Sequence, residues 1–206
     1  AYGIRKIAAV KAEHLFLPPF ISAAEKSAEY FASGTGAVIE TLVPKAVLLG
    51  AIAGTVSLPE REKQKEEKKI HGHFEAYAFQ TSLKDRLAAY KGLVREEFAK
   101  NHSVLLLTPI ADDIPYIVSS LNKGIEEHMY ALHGGLTQKK LLAAWQGAAT
   151  DTHPVLIVGG SASLSVPRED IGTIIIEKEN SWTYKKEHRP FVDVRTFALH
   201  FAEALK

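Results

Sequence analysis

Three short runs, Val104 to Leu107 (VLLL), Val155 to Val158 (VLIV) and Thr173 to Ile176 (TIII), are apolar almost throughout, and the segments around them carry helical spacing. A strand that is apolar on both faces must be covered on both faces, which in practice means a mostly parallel sheet sandwiched between helices. The spacing predicts further elements in the same register of alternation. Phe74 to Phe79 and His128 to Leu132 read as strands. Leu83 to Lys100, Ile114 to Leu121, Gln138 to Gly147 and a last segment from Val194 read as helices. The expected fold class is therefore α/β. On such sheets ligands sit at the carboxyl ends of the strands, where Pro109, His133, Gly159 and Glu177 fall.

The first part of the chain has a different character. Pro18 to Ser33 has apolar residues at helical spacing with proline at the start, where a missing N–H is harmless. Gly34 and Gly36 interrupt it before a second short helix, Ala37 to Val43, ended by Pro44. Ala46 to Leu58 is the most apolar stretch and is well short of the roughly 20 residues of a membrane span; it reads as a packed helix. The run Pro59 to Lys69 (PEREKQKEEKK) is charged with both signs mixed, and reads as a solvated linker. The expected organisation is a small helical segment over residues 1–58, a linker over 59–69 and the α/β lobe over 70–206.

Composition narrows the function classes. In 206 residues the net charge is +1, which excludes a uniformly basic coat, so nucleic-acid contact requires a local patch. There is no cysteine, hence neither disulfides nor cysteine zinc sites, and this fits a cytoplasmic protein. No signal peptide is apparent, and the start at Ala1 reads as that of an excised fragment.

The third apolar run ends in Glu177 and continues into an aromatic and basic loop, SWTYKKEHRPFVDVR, Ser181 to Arg195. Four segments at the strand ends, Val104 to Pro115 (VLLLTPIADDIP), Leu132 to Thr137 (LHGGLT), Val158 to Asn180 and Ser181 to Arg195, resemble in order and spacing one lobe of the superfamily 2 DNA helicases. Within that group they are similar to the bacterial primosomal replication-restart helicase family, PriA. Phe16 to Pro44 resembles the family's junction between the DNA-binding region and the motor. The resemblance implies a RecA-like, P-loop NTPase-type lobe that binds single-stranded or forked DNA and works with other replication-restart proteins, without a membrane.

The departures from the family pattern fall on the groups that touch ATP. The family's phosphate loop falls on Gln80 to Leu87 (QTSLKDRL), which has no glycine, carries Lys84, Asp85 and Arg86, and has Leu87 at the hydroxyl position. Phosphate loops need glycines so that backbone N–H groups approach the oxygens, a lysine for the β and γ phosphates, and a hydroxyl for Mg²⁺. At the acidic motif Glu177 and Glu179 remain, but Lys178 reverses a charge and Asn180 replaces histidine; Ser161 stands where the family has arginine. ATP and Mg²⁺ are ancestral ligands here, and no cofactor is expected. Trp182, Tyr184, Lys185, Lys186, Arg189 and Arg195 are the expected nucleic-acid contacts, joining stacking surfaces to phosphate-neutralising charge. An equal reading of Trp182 and Tyr184 is that they cap the sheet edge. Asp112 and Asp113 would repel a phosphate backbone.

Two other readings stand beside this one: a scaffold that has lost both ATP and DNA, and a motor completed by another lobe. Among the nine histidines, His71 and His73 share a strand face and His188 is a conceivable third ligand, yet no zinc spacing is present and no metal is expected. His133, Asp151 and His153 form an imaginable acid/base set, without a serine placed to use it. Gly159-Gly160 reads as a tight turn.

Overall fold

The computed structural model describes residues 15–56 and 74–206; the charged linker, His71 and His73 lie outside the described residues. Seven α-helices and four strands are described: α1 (Pro18–Tyr30), α2 (Thr35–Leu42), α3 (Lys45–Ala53), α4 (Leu83–Ala99), β1 (Ser103–Leu107), α5 (Ile114–Leu121), β2 (Met129–Leu132), α6 (Gln138–Thr150), β3 (Leu156–Gly159), β4 (Ile171–Ile176) and α7 (Val194–Ala204). The strands form one all-parallel sheet in the order β2-β3-β1-β4. This is an α/β fold of the RecA-like kind.

Period-two alternation in the apolar runs divides the core. Val104, Leu106, Leu156, Val158 and Ile175 point to one face, where Leu87, Val94, Ile114, Ile117 and Leu121 of α4 and α5 cover them. Leu105, Leu107 and Ile157 point to the other, against Trp145 of α6 and Phe197 and Phe201 of α7. Trp145 is wholly buried and donates its indole N–H to Ser165 Oγ at 3.0 Å, which satisfies its one polar atom.

The N-terminal helices belong to this second core. In α1 the buried residues Phe20, Ala23, Ala24, Ser27 and Ala28 recur at helical spacing, and Phe20 lies 5.3 Å from Phe197 and 6.0 Å from Phe201, ring centre to ring centre. Val38, Leu42 and Val47 of α2 and α3 join the same cluster. The α3 helix ends at Gly54, whose φ of +70° is the left-handed cap glycine allows. No single helix among the described residues is long and apolar enough to cross a membrane.

One expected strand is absent. Residues 74–80 carry no ladder hydrogen bonds, and Tyr77 is 84% exposed. A strand exists only by pairing, and β4, at the edge of the sheet, pairs with β1 alone. Phe74 to Phe79 has the composition of a strand but no ladder partner among the described residues, so alternation there does not become structure.

Candidate nucleotide and nucleic-acid sites

Two sites lie side by side along the carboxyl edge of the sheet. The first is built on Glu177, which follows β4 and is 2% exposed. Its backbone N–H donates to Leu107 O at 2.9 Å, so β1 fixes its position. Ser82 caps α4: its hydroxyl accepts from Asp85 N at 3.3 Å and donates to the Asp85 carboxylate at 2.7 Å. One turn later Arg86 and Tyr90, four residues apart, present the same helix face to Glu177. Arg86 donates from Nη2 to Oε1 at 2.7 Å and from Nε to Oε2 at 3.2 Å, and Tyr90 donates to Oε2 at 2.7 Å. Arg86 Nη1 adds Thr81 O at 2.6 Å.

Both oxygens of Glu177 are thereby occupied by a bidentate, charge-assisted fork. Arg86 is raised above the usual arginine value, first by its hydrogen bond to Glu177, and the Tyr90 hydroxyl is pushed up, first by burial and then by the same carboxylate. Leu87 is buried in the core beneath α4, and Lys84 and Glu179 are exposed. A cation or a phosphate at Glu177 would have to displace Arg86 and leave a buried charge without its partner. Lys178, with φ of +49°, reaches instead to Asp113 at 2.6 Å, tying the end of β4 to the turn that opens α5.

The second site is a cleft of about 350 Å³ over the carboxyl ends of β1, β2 and β3. Thr108 and Pro109, His133, Ser161 and Lys186 line it, and the end of α2 around Thr41 closes one side. At the end of β3 beneath the cleft, Gly159 lets the strands approach: a Cβ there would stand 2.1 Å from Leu132 O and 2.7 Å from Ser163 Oγ. Lys186 enters half-buried and donates to Ser161 Oγ at 3.0 Å; burial lowers its pKa, and among the described residues it has no carboxylate partner.

The aromatic loop divides into exposed and structural members. Trp182 is 70% exposed at the start of a 3-10 turn. Tyr184, in contrast, is 3% exposed and shares its hydroxyl proton between Glu177 O at 2.7 Å and Leu107 O at 3.0 Å, so its ring fastens the loop to β1 and β4. Burial, then the Glu177 charge, pushes its hydroxyl pKa up. Lys185 and Arg189 are exposed. Arg195 is committed internally: it donates to the Asp193 carboxylate at 2.9 and 2.6 Å and to Glu179 O at 2.6 Å, and lies 5.8 Å from the Tyr184 ring centre.

The His133, Asp151 and His153 set does not assemble. His133 follows β2, whereas Asp151 and His153 precede β3; the strands are parallel, so these residues lie at opposite ends of the sheet. The sequence reading missed Tyr90 and the pairing of Lys186 with Ser161. For Tyr90 the four-residue spacing from Arg86 was a usable signal; for Lys186 and Ser161 nothing local connects them.

No protein-family profile matches the chain. Among curated proteins it is similar to replication restart protein PriA of Helicobacter pylori (strain J99), 22% identical over 196 residues, covering 93% of this chain and 32% of that protein. It is 27% identical over 110 residues to PriA of Buchnera aphidicola, covering 53% of this chain and 15% of that protein. With PriA of Bacillus subtilis it shares 25% identity over 114 residues, covering 55% and 14%. The chain spans about a third, or less, of the length of these relatives.

Proposed function

We propose that this chain is a DNA-binding, ATPase-inactive lobe of a PriA-like replication-restart protein, acting in the cytoplasm on single-stranded or forked DNA. The similarity to replication restart proteins supports the setting. The observation that carries the mechanism is the contrast between the two neighbouring sites. At the nucleotide corner Arg86 and Tyr90 occupy both oxygens of the buried Glu177; in the cleft beside it Lys186 has no carboxylate partner among the described residues. A fixed positive charge in a concave, partly desolvated site favours a phosphate there more than the same charge on open surface.

In this reading Trp182 stacks a base, Lys185 and Arg189 neutralise phosphates beside it, and Lys186 holds a phosphate within the cleft. Tyr184 and Arg195 hold the loop in place and do not touch DNA. Other replication-restart proteins would be the protein partners.

The test is fluorescence anisotropy of a labelled fork with a 3′ single-stranded arm, at two salt concentrations, with wild type, Trp182→Ala and Lys186→Ala. Binding that falls with salt and weakens in both variants is expected, with Trp182→Ala costing about 1–3 kcal/mol of affinity. Unchanged affinity in the variants would move the DNA site elsewhere, and absence of binding would leave a protein scaffold as the better reading. Phosphate release from millimolar ATP with DNA present is expected to equal that of a protein-free control.

A further inference from the structure

At the amino edge of the sheet, away from both sites above, three chain segments converge on one carboxylate. Asp151 follows α6, His128 ends the 3-10 turn before β2, and His153 lies in the loop before β3. His128 Nδ1 is 3.0 Å from Asp151 Oδ2, and His153 Nδ1 is 3.5 Å from Asp151 Oδ1. The two imidazole rings lie 4.6 Å apart, centre to centre, and the three ligand atoms all fall within 4.8 Å of one another.

We propose that His128, Asp151 and His153 form a Zn²⁺ site with an open fourth position. Two imidazole nitrogens and one carboxylate oxygen are a donor set that zinc takes, with metal–ligand lengths of about 2.0–2.2 Å. Tetrahedral neighbours at those lengths are roughly 3.3 Å apart; His128 Nδ1 and His153 Nδ1 lie on either side of that distance, each from a different oxygen of Asp151, so the carboxylate can meet the ion through either oxygen. The remaining gap closes by rotation of His153, whose side chain is 67% exposed. His128 needs only to carry its proton on Nε2, so that Nδ1 is free to ligate.

The surroundings are rigid in the way ligand sites require. Tyr130 donates to Asp151 Oδ2 at 3.0 Å, and His153 N donates to Oδ1 at 2.9 Å, so the carboxylate is oriented before any ion arrives. The buried Arg168 holds the loop from beneath: its guanidinium donates to Ala148 O, Asp151 O and His153 O, each at 2.8 Å. Asp170 anchors that guanidinium in turn at 2.6 and 2.8 Å. Bound zinc would clip the end of α6 to the starts of β2 and β3. It would do so without involving the carboxyl edge, so this site and the DNA reading stand or fall separately.

The test is titration of the whole chain, freed of metal by chelator, with Zn²⁺ alone against a chromophoric zinc indicator near neutral pH. Wild type is expected to take one equivalent, and His153→Ala, at an exposed position, is expected to bind at least about tenfold more weakly while keeping its far-ultraviolet circular dichroism. Tyr130→Phe is expected to weaken binding by about tenfold through loss of the carboxylate's orientation. A His71→Ala, His73→Ala double variant is expected to bind as wild type. Failure of wild type to compete with the indicator, affinity unchanged in His153→Ala, or loss of binding in the His71/His73 variant would each overturn the assignment.

Discussion

Arg86 and Glu177 show how the choice of cation decides the chemistry around a buried carboxylate. A lysine has three rotatable donors on a compact charge, whereas the guanidinium is a planar fork that fits a carboxylate in two bonds. Given the buried Glu177 across from α4, arginine satisfies one lone pair on each oxygen of that carboxylate, and Tyr90 takes a second on Oε2. Arg86→Ala is therefore expected to destabilise the fold by about 3 kcal/mol, because it leaves Glu177 charged, buried and short of donors. Urea denaturation checks this. The double variant Arg86→Met, Glu177→Leu is expected to regain most of the loss, since removing both charges removes the desolvation penalty as well. A double variant as unstable as the single one would show that the pair is held for packing rather than charge. The Arg86–Glu177 bond joins positions 91 apart in sequence and could not be read from either segment.

At the scale of elements the sequence was legible wherever periodicity and pairing agreed. The α5 bounds match the expectation, Ile114–Leu121, and β1, β3 and β4 lie where the apolar runs are. Phe74 to Phe79 failed because a strand depends on a neighbour that its own residues do not specify. The aromatic loop left two readings open, and the structure divides its rings between outside and inside: Trp182 and Tyr184 are two residues apart with the same kind of neighbours, yet a 3-10 turn sends one out and the other into the core. Element ends carry their own predictions. Asp193 caps α7 by accepting from Arg195 N at 3.0 Å, and its carboxyl is held below the usual range, first by the hydrogen bond from Arg195. Asp193→Ala is expected to cost about 1–2 kcal/mol at neutral pH. Because the folded carboxyl is the stronger acid, this contribution is fully present above the usual aspartate value of about 3.9 and is lost as pH falls below it. Thermal melts of both proteins from neutral to acid pH should converge. At Gly159, alanine places a Cβ against the Leu132 carbonyl where β2 and β3 end, and a loss of about 2–3 kcal/mol in denaturant titration is expected.

For the molecule as a whole, the N-terminal helices and the α/β lobe share a core, and this bears on how the chain unfolds. Phe20 of α1 touches both Phe197 and Phe201 of α7, and wholly buried Trp145 belongs to the same cluster. A charged linker in the sequence suggested separate units; a shared core makes them melt together. Trp145 fluorescence and far-ultraviolet circular dichroism should therefore report one coincident transition. The polar centre of the α1–α7 contact adds a pH dependence. Ser27 Oγ lies 2.9 Å from His200 Nδ1, the Tyr30 ring packs edge-on against the imidazole at 6.1 Å, and the Lys26–Glu203 ion pair flanks it. Burial is the first cause that lowers the His200 pKa, the Lys26 charge is the second, and Glu203 opposes them. The folded state thus favours neutral imidazole, while the unfolded chain protonates at the ordinary value of about 6.5. The unfolded state binds more protons below that value, so stability is whole above it and declines as pH falls toward the lowered folded pKa. Melting temperature should fall between neutral pH and mild acid, and His200→Gln, which cannot be charged, should flatten that slope while Ser27 keeps a hydrogen-bonding neighbour. An identical slope in the variant would place the titrating group outside the α1–α7 contact.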